Sequence, residues 1–105
     1  MDKIVVILST YNGEKYLQEQ IASILKQNEV EVKLLIRDDG SSDNTYNMLQ
    51  DIRDRNPSVE TLFQENVGCK KSFYLAAQYA FETFPDTDYY AFSDQDDFWL
   101  NDKLQ

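Results

Sequence analysis

The sequence predicts an α/β fold built on a parallel sheet, and three observations carry that reading. The run Ile4 to Leu8 is apolar without alternation, as in a strand covered on both faces, and Val32 to Ile36, apolar but for Lys33, reads as a second apolar strand. A segment of helical period follows each run. Strands that alternate with helices call for a parallel sheet joined by right-handed crossovers.

Asn12 is placed to cap the first helix, in which Leu17, Ile21, Ile24 and Leu25 fall on one face. The second strand closes on Arg37-Asp38-Asp39-Gly40. Asp43 then caps a second helix whose inner stripe is Thr45, Met48, Leu49 and Ile52, and Asn56-Pro57 stops it. Val59 to Phe63 reads as a weaker third strand. Phe73, Ala77, Ala80, Phe81 and Phe84 space a third helix, which Pro85-Asp86 ends. Tyr89 to Ser93 is the fourth strand, and Leu100 to Gln105 opens a further helix. No repeat, low-complexity stretch or linker divides the chain. Residues 1–105 are therefore expected to form a single domain with an adequate but modest core.

The net charge of −9 argues against nucleic acid as a partner, because phosphate backbones are met by basic surfaces. Cys69 is the sole cysteine, so no internal disulfide can form. A reducing compartment fits it, with Cys69 as a plain buried or half-buried thiol. The chain has no histidine, which removes Ser-His-Asp and Cys-His catalysis and His-ligated zinc from consideration within it. Ile4 to Leu8 is too short for a signal segment or a membrane span, and a soluble, cytoplasmic protein is expected.

An open parallel sheet binds ligands outside the carboxyl ends of its strands. Ser9-Thr10-Tyr11-Asn12, Asp38 to Asp43 and Asp94-Gln95-Asp96-Asp97 all fall at such ends. Asp94 and Asp96 put carboxylates on every second residue, a pattern that can hold Mg²⁺ or Mn²⁺ and leave positions open for phosphate. Alone, the stretch reads equally as a solvated acidic turn; the second acidic strand end at Asp38-Asp39 favours a ligand site. Adjacent carboxylates repel and a turn needs only one, so one of Asp38 and Asp39 is assigned to function. A carboxylate there can accept the N3–H of a pyrimidine base.

Tyr11 can stack on a base or sit as a core-edge aromatic. Ser9 offers a hydroxyl to the same pocket or simply caps its strand. In the loop Asn66 to Lys71, Gly68 is free to take positive φ, while Lys70 and Lys71 read as solvated rather than as diphosphate partners. Phe98-Trp99 reads as an anchor for the following helix. The acidic run lacks the glycine and the closing glutamate of a calcium-binding EF-hand loop, and neither a P-loop nor a dinucleotide fingerprint is present.

Val6-Ile-Leu-Ser-Thr-Tyr-Asn-Gly13, Asp38-Asp-Gly-Ser-Ser-Asp43, Asn66-x-Gly68 and Ser93-Asp-Gln-Asp-Asp97 occur in the order and spacing of family 2 glycosyltransferases. The chain resembles that family over essentially its whole length. The resemblance implies a Rossmann-like, N-terminal nucleotide-sugar-binding half of a GT-A fold. It also implies inverting sugar transfer from a nucleoside diphosphate donor with Mg²⁺ or Mn²⁺ as cofactor. Carried over residue by residue, Asp39 matches the carboxylate that contacts the base, and Ser9 and Tyr11 match residues lining the base pocket. Asp96 matches the direct metal ligand and Asp94 the residue nearer the ribose. The expected donor-binding set is thus Ser9, Tyr11, Asp38, Asp39 and Asp94, with Asp96 and Asp94 at the metal.

Tyr11-Asn-Gly-Glu-Lys-Tyr-Leu17 and Phe92-Ser-Asp-Gln-Asp-Asp-Phe-Trp99 further resemble bacterial rhamnosyltransferase-like members that build surface polysaccharides. That implies a dTDP- or UDP-sugar donor, a glycan or lipid-linked acceptor, and a full-length protein at the inner face of the bacterial membrane. The family places its acceptor half and general base downstream of the acidic motif, so a chain truncated on its C-terminal side is expected. Lacking a base worth about 10²–10⁴-fold in rate, such a piece should bind nucleotide weakly and turn over poorly. Its cut sheet edge invites self-association. Three rivals are weighed, and the first two lack the feature they need. A sugar nucleotidyltransferase would show a basic, glycine-rich phosphate loop after the first strand, and Ser9 to Gly13 is not such a loop. A phosphoacceptor signalling domain would need a later strand-end lysine, and the third strand ends at Gln64-Glu65. A non-catalytic nucleotide-binding fragment stays open.

Overall fold

The computed structural model describes residues 2–26 and 30–93. Within them, strands and helices alternate: β1 (Asp2–Thr10), α1 (Leu17–Leu25), β2 (Val30–Asp39), α2 (Thr45–Arg55), β3 (Val59–Gln64), α3 (Cys69–Thr83) and β4 (Tyr89–Ser93). All pairings are parallel, and the strand order is β3-β2-β1-β4. The expected α/β parallel sheet is therefore observed, with β1 and β2 at its centre. The chain reverses direction across the sheet between β3 and β4, so β1 is flanked by β2 on one side and β4 on the other.

The pleat sorts the apolar runs into two cores. Ile4, Val6 and Leu8 of β1 with Leu34 and Ile36 of β2 pack against Leu17, Ile21 and Ile24 of α1 and Leu49 of α2. Val5, Ile7 and Leu35 face the other way, onto Ala76 and Ala80 of α3. Both faces of the central strands are thus covered, as the unbroken apolar run of β1 and the Leu34 to Ile36 run of β2 require. The mixed character of the third strand has the matching cause: β3 lies at an edge and only Val59 of it is fully buried.

Three expectations are corrected. Asn12 does not cap α1, whose helical residues begin at Leu17 with no side-chain cap; the backbone amides of Tyr16 and Leu17 bond instead to the Gly13 carbonyl. The inner stripe of α3 is Ser72, Ala76 and Ala80, while Phe81 is half exposed and Phe73 only partly buried. Small side chains let a helix lie close over a sheet, and the bulkier phenylalanines are displaced to its flanks. Cys69 is exposed rather than buried, as the first residue of α3.

Candidate functional site

The carboxyl ends of β1 and β2 are adjacent in register, with Ser9 beside Arg37 and Thr10 beside Asp38. β3 continues the edge, placing Gln64 beside Asp39. A cleft of about 440 Å³ opens there, lined by Ser9, Thr10, Tyr11, Asp39, Asn66, Gly68, Cys69 and Phe73. Ser9, Tyr11 and Asp39, three of the expected donor-site residues, thus share one wall-and-floor arrangement at the carboxyl edge. β4 ends at Ser93 on the same edge, paired with Leu8 of β1. Asp94 and Asp96, the expected metal and ribose residues, lie outside the described residues.

Asp39 is the most constrained group in the cleft. Its Oδ1 accepts from Arg37 Nη1 at 2.7 Å and from the Val67 amide at 2.8 Å, and its Oδ2 accepts from the Gly68 amide at 3.2 Å. A carboxylate offers roughly four acceptor positions, so these three donors leave one, on Oδ2. The β3–α3 loop that supplies the two amides is itself held to the strand end: Asn66 Nδ2 donates to the Asp39 carbonyl. Gly68 takes φ +93° in this loop, as only glycine does without strain. At Gly40 a side chain is barred as well, since a Cβ would lie 2.7 Å from the Asn66 amide nitrogen.

Asp38 belongs to the opposite face of β2. Its Oδ1 accepts from Ser41 Oγ at 2.5 Å, and it does not line the cleft. Burial pushes its carboxyl above the usual range; hydrogen bonds from Ser41 oppose that, while Asp43 and Asp39 add repulsion. Burial acts in the same direction on Asp43, yet hydrogen bonds from Thr45 and Glu14 outweigh it and hold that carboxyl below the usual range. Asp43 Oδ1 accepts from the Thr45 amide, the first of α2, so it does anchor that helix start. A raised acid favours the protonated form in the fold. Asp38→Asn should therefore stabilise the chain at neutral pH, and the gain should vanish as pH falls below the ordinary carboxylate range. Thermal unfolding of both proteins across that pH span checks it.

Asn12 takes φ +50°, a left-handed conformation that asparagine tolerates. From there its Oδ1 accepts from the amides of Ser42 and Asp43, while its own amide donates to Ser41 Oγ. The Gly13 amide donates to Thr45 Oγ1. The β1–α1 and β2–α2 loops are thereby laced together, which fixes the rim on the Tyr11 side. Tyr11 itself is 47% exposed, open on the cleft as a stacking surface would be. Lys70 and Lys71 are solvent-exposed in the first turn of α3.

Two residues that the sequence reading left without a role complete the site. Arg37, 1% exposed, lies beneath the cleft and donates to Asp39, to Ser72 Oγ, to Gln64 Oε1 through Nε and to the Glu65 carbonyl. Ser72 of α3 is fully buried, its Oγ 2.5 Å from Ser9 Oγ. A signal for Arg37 existed: in a strand, residues two apart share a face, which places its cation beside Asp39.

Among the described residues no group of three or more Asp, Glu or Cys side chains is arranged to hold a metal ion. Asp94 and Asp96, the residues expected at the metal, follow in sequence the strand that ends at Ser93 on the cleft's edge. Their carboxylate oxygens are hard donors, suited to Mg²⁺ or Mn²⁺.

The glycosyl transferase family 2 model matches residues 5–105. The chain is 37% identical over 102 residues to the dTDP-rhamnosyl transferase RfbG of Shigella flexneri, covering 93% of this chain and 34% of that protein. It is 33% identical over 103 residues to the UDP-Glc:alpha-D-GlcNAc-diphosphoundecaprenol beta-1,3-glucosyltransferase WfgD of Escherichia coli, covering 97% and 38% respectively. S. aureus TarS residues 1–349 in complex with UDP superimposes with a TM-score of 0.80 at 28% identity, over 97% of this chain and 30% of that one. The chain spans about a third of the length of these relatives.

Proposed function

The chain belongs to glycosyl transferase family 2, and we propose that it forms the donor-binding part of an enzyme transferring a sugar from a nucleoside diphosphate to a glycan or lipid-linked acceptor. One observation carries this reading: Ser9, Tyr11 and Asp39 converge on a single cleft at the carboxyl edge of the sheet, where such sheets bind ligands. The base lies against Tyr11, and its N3–H donates to the remaining acceptor position of Asp39. Uracil and thymine carry that donor. This agrees with the donors named for the relatives, dTDP-rhamnose for RfbG and UDP-glucose for WfgD, and with the UDP bound to TarS. dTDP-rhamnose is the donor proposed here.

Asp94 and Asp96 would hold Mg²⁺ or Mn²⁺ beside the diphosphate. When bound, the ion supplies Lewis-acid stabilisation of the charge that develops on the leaving diphosphate. The described residues are assigned to the donor side alone, with no general base or acceptor contact assigned among them, and the protein is placed at the inner face of the membrane.

Calorimetry with dTDP and UDP, with and without Mn²⁺, tests the reading. Binding should require the divalent ion, and Asp96→Ala should remove the dependence together with most of the affinity. Equal affinity in EDTA would end the metal assignment.

A further inference from the structure

We propose that Arg37 is a positioning residue that sets the hydrogen-bond polarity of the base pocket, holding Asp39 as an acceptor and, through Ser72, Ser9 as a donor. This rests on the base contact proposed above for Asp39. Arginine has donors and no acceptor. Its Nη1 donates at once to Asp39 Oδ1, at 2.7 Å, and to Ser72 Oγ, at 2.8 Å. Arg37 thereby fills one acceptor position of the Ser72 oxygen, and we assign the Ser72 proton to its other close neighbour, Ser9 Oγ, at 2.5 Å, a contact in which either hydroxyl can donate. Ser9 then accepts from Ser72 and keeps its own proton for the cleft it lines.

The pocket consequently presents an acceptor at Asp39 and a donor at Ser9. Uracil and thymine offer the complement, an N3–H flanked by carbonyl oxygens. Cytosine offers an acceptor at N3 and an amino donor beside it. Gln64 and the Glu65 carbonyl hold the guanidinium from the far side, so its orientation does not depend on the ligand.

The test is calorimetric titration of the chain with UDP and CDP in the presence of Mn²⁺, with circular dichroism to show that each variant is folded. Ser72→Ala frees the Ser9 hydroxyl to present either polarity, and the UDP-to-CDP affinity ratio should fall by about threefold or more. Ser72→Thr keeps the hydroxyl and should restore the ratio. Arg37→Lys keeps a charge, but a single ammonium does not reproduce the planar fork spanning Asp39, Ser72 and Gln64, and the ratio should fall as with Ser72→Ala. A purely structural role would weaken UDP and CDP alike; unchanged ratios in Ser72→Ala and Arg37→Lys would overturn the assignment. Asp39→Asn separates the two levels. If it abolishes the preference while the other variants keep it, only the role of Arg37 fails. If Asp39→Asn keeps the preference, or the unmodified chain shows none, the base contact fails and this inference with it.

Discussion

Asp39→Asn is expected to bring CDP level with UDP and dTDP, or ahead of them, on a chain that otherwise prefers the latter pair by about ten- to a hundredfold. In the unmodified protein, a cytosine N3 would set an acceptor against the open position of a buried carboxylate. Such a mismatch costs roughly 1–3 kcal/mol. The structure determines which way the amide of the variant would turn. Two donors, Arg37 Nη1 and the Val67 amide, converge on Oδ1, and only the Gly68 amide, at a longer 3.2 Å, meets Oδ2. The amide oxygen therefore takes the Oδ1 position and the NH₂ group the Oδ2 position. A donor then faces the base where an acceptor stood, which disfavours N3–H and suits cytosine. Competition titrations with the three nucleotides measure the order. A variant that retained the original order, or an unmodified chain to which CDP bound as well as UDP, would remove Asp39 from the base pocket.

Much of the architecture was legible because the central strands are buried on both faces. Ile4 to Leu8, unbroken and mostly β-branched, and Val32 to Ile36, apolar but for Lys33, read as strands at their length, and the alternation of helices around them calls for a parallel sheet. The register could not be read so far. Both strands run beyond their apolar segments, β1 to Thr10 and β2 to Asp39, because the polar residues at their ends continue the ladder as Ser9 with Arg37 and Thr10 with Asp38. The face of α3 was misjudged in part, for a physical reason. Periodicity weighted by hydrophobic bulk selects Phe73, Ala77, Ala80, Phe81 and Phe84. Of these Ala80 is buried and Ala77 and Phe84 pack partly against the core, but the inner face is completed by two small residues, Ala76 and the polar Ser72. A buried serine carries no apolar signal; its place follows from a partner, Arg37, that lies 35 positions away in sequence.

At the site, residue types were more legible than partners. Ser9, Tyr11 and Asp39 follow from strand ends and motif spacing. The separation of Asp38 from Asp39 follows only from the pleat, which turns one toward Ser41 and the other toward the cleft. Asn12 looked like a helix cap because capping is the commonest use of asparagine before a helix. Its left-handed backbone redirects it to Ser42 and Asp43, a cross-loop role that depends on two loops meeting in space.

The second large effect concerns stability. Arg37→Met should destabilise the chain by about 3–5 kcal/mol, a large share of the roughly 5–15 kcal/mol that holds a typical domain folded. Arg37 and Asp39 form an ion pair with side chains 1% and 4% exposed. Removing the cation strands a buried carboxylate with only the Val67 and Gly68 amides, and deprives Gln64, Ser72 and the Glu65 carbonyl of their donor. Methionine fills much of the volume, so the cavity contribution is small and the loss reports the unpaired polar groups. The double variant Arg37→Met with Asp39→Leu sharpens the test. With both charges gone the desolvation penalty goes too, and the double variant should be more stable than Arg37→Met alone although it carries one more substitution. Urea unfolding followed by circular dichroism gives the three free energies. A loss below about 1 kcal/mol in Arg37→Met, or a double variant less stable than the single, would show that the pair does not behave as a buried charge held by its partner.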